Sequence, residues 1–131
     1  MAHRTDAVDA ALWVAFGVSV GVLVWFSVLA IPPTPSSSAG DELLHALAYA
    51  VTFGVLLLAA VWRPGRGDGP LVSKEMLLVA SALVLGGVLE LVQAAVGRDP
   101  SLLDAAADAS GVAVAWVAHR TLRRAAAGAT P

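Results

Sequence analysis

The sequence predicts an all-α fold: a multi-pass membrane protein built as a compact bundle of four transmembrane helices, with both termini cytoplasmic. Three observations lead there. The 131-residue chain is 58% hydrophobic and only 14% charged, against about 25% charged in soluble domains. Four apolar stretches, at 10–31, 43–62, 76–96 and 102–122, each reach the length of about 20 helical residues that crosses a bilayer core of ~30 Å. The basic residues are also one-sided. Arg4 precedes the first stretch, Arg63, Arg66 and Lys74 lie between the second and third, and Arg120, Arg123 and Arg124 follow the fourth, while Arg98 alone stands on the opposite side. Cytoplasmic loops of membrane proteins carry the excess of Lys and Arg, so this pattern sets both ends of the chain in the cytoplasm of a multi-pass cell-membrane protein. Residues 1–131 read as a single domain.

Each helix has recognisable limits. The first is expected over 10–31. It is longer than the ~7–15 residues of a signal-peptide core, which favours a retained helix over a cleaved leader. It carries Gly17-Val-Ser-Val-Gly21, a G-x-x-x-G pattern that lets helices approach closely, and packing within the chain is the expected use. Pro32-Pro33-Thr34-Pro35 ends it, because proline cannot continue a helix, and Ser36–Gly40 completes a loop. The second helix is expected over 42–62, with Asp41 and Glu42 complementing the positive end of its dipole and Arg63-Pro64-Gly65 stopping it. The loop Arg63–Ser73 is the most polar stretch, and Ser73 is a candidate N-cap for a third helix over 75–97, which Gly97 terminates. Ser101-x-x-Asp104 resembles a capping box opening a fourth helix over 101–122, with a frayed Ala/Gly tail beyond it. The four tryptophans read as interfacial anchors or lipid-facing bulk.

Composition excludes several classes of function. A net charge of −2 gives no electrostatic footprint for nucleic acid. The absence of cysteine removes disulfides, thiol catalysis and Cys-ligated metals. Neither a cofactor nor a metal is expected: His45 is the one imidazole near the polar positions, and one His with several carboxylates selects a metal weakly.

Ionisable residues inside hydrocarbon-length segments cost several kcal/mol unless paired or facing a wet cavity, so they mark candidate sites. Here they form three groups: Asp41, His45 and Tyr49; Glu90 and Gln93; and Arg98 with Asp104 and Asp108. Residues spaced by three and four share a helix face. That rule groups Asp41, His45, Ala48 and Thr52, with Tyr49 at the edge; Gly86, Glu90, Gln93 and Gly97; and Asp104, Asp108, Gly111 and Ala115. Polar and small residues thus share the faces that pack together, and all three groups fall near the outer membrane face. Arg98 is expected to pair with Asp104 or Glu90, and His45 to bond a carboxylate. Ser110 points away from the cluster.

The same residues resemble the VanZ-like family, named for an accessory protein of teicoplanin resistance. The likeness runs from about Asp41 to Ala118 and rests on Asp41-Glu42-Leu-Leu-His45-Ala-Leu-Ala-Tyr49, on Glu90-Leu-Val-Gln93, and on Gly97-Arg98 followed by Asp104, Asp108 and Gly111. Glu42 stands where the family usually has Lys and Asp108 where Asn is usual, which makes this version of the site more acidic. The resemblance implies a multi-pass membrane protein linked to glycopeptide resistance, with these residues as its candidate site.

Three readings of the cluster remain open. The first is a binding module in which an outward-facing pocket takes the headgroup of an outer-leaflet lipid or of a lipoglycopeptide, with Arg98 as the anion contact and the carboxylates taking hydroxyl or amine groups. The second is a membrane enzyme in which His45, Glu90 or Asp104 works as a general acid or base on a lipid headgroup; no recognised catalytic motif supports it, so an enzyme is the less favoured reading. The third is a buried polar network that only fixes helix packing. Membrane lipids are the expected partners. The sequence leaves the oligomeric state undetermined.

Overall fold

A computed structural model describes residues 2–28, 38–61, 71–97 and 101–128. Four helices follow one another: α1 (Ala2–Val28), α2 (Ser38–Ala60), α3 (Leu71–Ala95) and α4 (Leu102–Gly128). The Pro32–Pro35 segment, Trp62, most of the Arg63–Ser73 loop and Arg98 lie outside the described residues. Among those described, all regular structure is helical.

The boundaries differ from the sequence expectation at several ends. α2 starts at Ser38, ahead of Asp41, and α3 starts at Leu71, so Ser73 lies inside the helix and not at the N-cap position before it. Pro70 immediately precedes α3 in the sequence, and proline is favoured at helix starts. The expected fraying after residue 122 is replaced by helix to Gly128. Alanine has the highest intrinsic helix propensity, and the run Ala125–Ala127 supplies it. At the other end of α3 the chain turns at Gly97, whose φ of 84° lies in the left-handed region that glycine enters without a Cβ penalty.

Three helices hold segments long and apolar enough to cross a membrane: Asp6–Ser27, Glu42–Ala60 and Lys74–Ala95. α4 is as long as α1, at 27 residues, yet it is not among these three. Its carboxylates near one end and its His and Arg residues near the other lower its hydropathy. Its register with α3 nevertheless carries it along the whole α3 span. Ser101 meets Glu90 at one end, Asp108 lies opposite Gly86, and Trp116 and Arg123 meet Glu75 at the other. The two helices are therefore antiparallel. Fifteen residues separate Glu75 from Glu90, about 22 Å of helix at 1.5 Å per residue.

α2 and α4 run parallel and make the closest contact of the bundle. A Cβ on Gly111 would meet the Ala46 backbone, and one on Gly54 would sit 3.9 Å from the Ala115 Cβ. Phe53, Leu57 and Val112 are fully buried, with Tyr49, Leu89, Ala115 and Leu23 around them. The outside is equally apolar: Leu47, Val51, Leu77, Val84, Leu91, Val114 and Val117 are all exposed. An exterior as apolar as the core, with polar residues such as Thr52, Gln93 and Asp108 buried between the helices, suits lipid as the surrounding solvent.

α1 packs against α2 and α3 and buries Leu23 and Ser27. The G-x-x-x-G pair does not take part. Both Gly17 and Gly21 are exposed, and a Cβ on either would meet nothing within 4 Å. The expected packing of this motif within the chain is thus overturned, because Leu23 and Ser27 supply the inward face of α1.

Candidate functional site

The ends of α2, α3 and α4 that share one side of the bundle bring together most of the polar residues singled out in the sequence. His45 enters from the second turn of α2, and Asp108 from the same level of α4. His45 Nδ1 lies 3.0 Å from Asp108 Oδ1, with side chains 14% and 6% exposed. With a neutral imidazole the contact is a hydrogen bond from Nδ1–H to the carboxylate, and with a protonated one it is an ion pair. The parallel approach of α2 and α4 at Gly111 makes it possible, since Gly111 lies three residues beyond Asp108 and Ala46 one beyond His45.

Tyr49 stands one turn deeper on α2. The sequence placed it at the edge of the polar face, but it is 4% exposed and part of the core. Its hydroxyl is buried and faces Asp108, without a hydrogen bond of ordinary geometry among the described residues. It converges with Asp108 on Gly86 of α3, where an added Cβ would lie 3.3 Å from the Tyr49 hydroxyl and 3.4 Å from Asp108 Oδ2. Only a residue without a side chain leaves that space open.

Glu90, one turn beyond Gly86, accepts a hydrogen bond from the Ser101 N–H at 3.2 Å. Ser101 Oγ in turn accepts from the Leu103 N–H at 3.2 Å, a side-chain cap of the orphan N–H groups at a helix start. The capping box expected between Ser101 and Asp104 is thus completed across helices, by a carboxylate of α3. Asp104 is half-buried in the first turn of α4. Gln93 is 3% exposed. Ser110 is turned outward, its hydroxyl donating to the Ala106 carbonyl at 2.7 Å. Arg98 and the side chain of Asp41 lie outside the described residues, as does the expected pairing of Arg98 with Asp104 or Glu90.

The assembled group is acidic: three carboxylates, Glu90, Asp104 and Asp108, with the imidazole of His45 and the phenol of Tyr49. Among the described residues, no three His, Asp or Glu side chains group closely enough to hold a metal ion. What such a group can do is accept hydrogen bonds from hydroxyl and ammonium groups and move a proton through an imidazole oriented by a carboxylate. Comparison of the chain with family models, with curated proteins and with solved structures found no match.

A second polar centre, which the sequence reading passed over, occupies the opposite end of α3 and α4. Glu75, beside the first charged residue of the α3 span, is 3% exposed. Trp116 Nε1 donates to its Oε2 at 3.2 Å, and Arg123 Nη1 donates to its Oε1 at 3.4 Å. Arg120 Nε stands 3.6 Å from Oε2, and His119 Nε2 lies 3.9 Å from Oε1. The Arg120 guanidinium also covers the Trp116 ring at 5.1 Å, within the range of a cation–π contact. Trp116 is therefore not a simple interfacial anchor, and Arg120 and Arg123 do more than mark topology. Helical phase is the signal that would have found them: Glu75, Val79, Ala82 and Gly86 share one face of α3, and Asp108, Gly111, Ala115 and His119 share one face of α4.

Proposed function

We propose that the His45–Asp108 centre binds the polar headgroup of a membrane or cell-envelope lipid, presented from the side of the membrane opposite the termini. The observation that carries this reading is the Tyr49 hydroxyl, buried facing Asp108 without a hydrogen bond of ordinary geometry, while His45 engages the Oδ1 of the same carboxylate. Buried polar groups nearly always have a partner, and an orphan calls for an explanation. A ligand hydroxyl or amine between Tyr49, Asp108 and Glu90 supplies one. The acidic character of the group favours headgroups that donate hydrogen bonds, and Arg98, close in sequence to Ser101, is suited to a headgroup phosphate. The distribution of Lys and Arg supports the outward orientation of this end, and the resemblance to the VanZ-like family supports an envelope lipid or lipoglycopeptide as the ligand class.

Native mass spectrometry of the protein extracted with its lipids tests the proposal. The wild type is expected to retain a defined lipid that His45→Ala and Arg98→Ala release. Equal lipid profiles in all three proteins would refute it.

One observation favours a second reading. A carboxylate oriented on an imidazole, as Asp108 is on His45, is the arrangement of a general base. On that reading the protein acts on the headgroup, and folded His45→Ala protein loses turnover of the retained lipid while still binding it.

A further inference from the structure

We infer that the opposite end of the α3–α4 pair carries a second site, which takes the phosphate group of an anionic lipid. Two guanidiniums, Arg120 and Arg123, face the single carboxylate of Glu75. The carboxylate is 3% exposed, whereas Arg120 keeps 35% and Arg123 26% of its side chain at the surface. Glu75 thus works from beneath, fixing the two guanidiniums from their buried side. Arg120 is held further by the face of Trp116, whose indole is itself anchored on Glu75. Lys74 and Arg124 flank the pair and are exposed.

Arginine presents five donors in a planar fork that matches phosphate oxygens, and Arg120 approaches Glu75 through Nε. The centre lies where the α3 span begins, at Lys74, which is headgroup depth. Basic pockets between helices at that level take lipid phosphates. The site is distinct from the His45–Asp108 centre in position and in charge, with about 22 Å of α3 between Glu90 and Glu75, and it stands whether or not that centre binds a lipid.

The test uses the full chain in nanodiscs of phosphatidylglycerol mixed with phosphatidylcholine, reading by native mass spectrometry which lipid remains bound after detergent release. The wild type is expected to retain phosphatidylglycerol. Arg120→Gln and Arg123→Gln should each reduce that preference more than about tenfold, the equivalent of one hydrogen bond to a charged group. Each single variant leaves Glu75 with the other guanidinium and with Trp116, so folding is retained. Arg124→Gln removes the same charge from an exposed residue that does not face Glu75, and it should change the preference by no more than about fivefold, the general contribution of one basic residue at an anionic surface. An Arg124→Gln loss as large as that of Arg120→Gln would reduce the effect to general surface charge and overturn the site. So would the absence of any preference in the wild type. A parallel arm with inorganic phosphate in lipid-free detergent separates the sources: Arg120-dependent protection from thermal unfolding there means that the phosphate group suffices, and protection by phosphatidylglycerol alone means that the acyl chains contribute.

Discussion

Gly111 of α4 lies directly against the backbone of α2 at Ala46, so close that a Cβ would overlap the Ala46 carbonyl oxygen and come within 2.9 Å of the Ala50 nitrogen. Neither neighbour is a flexible side-chain end that can swing aside, so any larger residue must force α2 and α4 apart. Gly111→Ala is expected to destabilise the bundle by at least the ~1–3 kcal/mol typical of overpacking and to lengthen the His45–Asp108 contact one turn away. Thermal unfolding in detergent, followed by circular dichroism, reads the loss. Gly87→Ala is the matched control, since a Cβ there meets nothing within 4 Å. Equal melting temperatures for the two variants would show that this close approach does not hold the bundle.

Much of this arrangement is legible in the chain, for a physical reason. In lipid, the polar and small residues of each helix must face other helices, so helical phase alone groups Asp104, Asp108, Gly111 and Ala115, and the folded α4 packs along that face. Phase does not give rotation or register between helices. For that reason phase alone sets Tyr49 at the edge of the polar face, although it sits in the core, and pairs Ser101 with Asp104, although the carboxylate that takes its N–H is Glu90 of α3. Glu75 went unnoticed for a different reason. It neighbours Lys74 at a helix start, where a charged residue ordinarily belongs at the interface, and only the packing of α4 buries it. The α4 hydropathy falls below that of the other helices because both polar centres draw on it.

The glycines of α1 teach the opposite lesson, that a motif without a partner is only a composition. Gly17 and Gly21 meet nothing among the described residues, so replacing both with Ala should not destabilise the single chain, and helix propensity sets a gain of up to about 1 kcal/mol per residue. A large loss of thermal stability in detergent would mean that these glycines contact something other than the helices of their own chain.

Asp108 and His45 offer a cleaner substitution series. Asp108→Asn keeps a side-chain oxygen to accept from the imidazole, and it is expected to cost less than about 1 kcal/mol. Asp108→Leu removes that acceptor from a site where the Asp108 side chain is 6% exposed, and should cost about 1–3 kcal/mol. Urea or thermal unfolding of the two variants in one detergent provides the comparison. If Asn proved as damaging as Leu, the negative charge itself would be the requirement, which would point to a cationic ligand or a protonated His45.

Removing Glu75 should loosen the far end of the bundle. Glu75→Ala leaves the Trp116 indole and two guanidiniums without their acceptor. Because Arg120 and Arg123 are 35% and 26% exposed, water compensates part of the loss, and about 1–3 kcal/mol is expected, below the cost of breaking a fully buried pair. Glu75→Gln keeps an oxygen for the indole N–H and should fall between wild type and Ala. Hydrogen exchange of the α4 segment 116–123 localises the change: faster exchange confined to this end supports the anchor, and uniform acceleration along α4 would argue for global destabilisation instead.

Tyr49→Phe separates a binding role from a packing role. The ring belongs to the core with Phe53 and Leu57, and phenylalanine preserves that packing while removing only the hydroxyl. Because the hydroxyl faces Asp108 without a hydrogen bond of ordinary geometry, deleting it should leave the lipid-free protein as stable as wild type or slightly more stable, by up to about 1 kcal/mol. The same deletion removes a contact from a bound headgroup, so lipid retention should fall about tenfold, the equivalent of one neutral hydrogen bond. The two readouts therefore move in opposite directions, with thermal stability of delipidated protein unchanged or higher and lipid occupancy by native mass spectrometry lower. A variant that is less stable without lipid and equally occupied with it would assign Tyr49 to the scaffold and remove the main support for a ligand at Asp108.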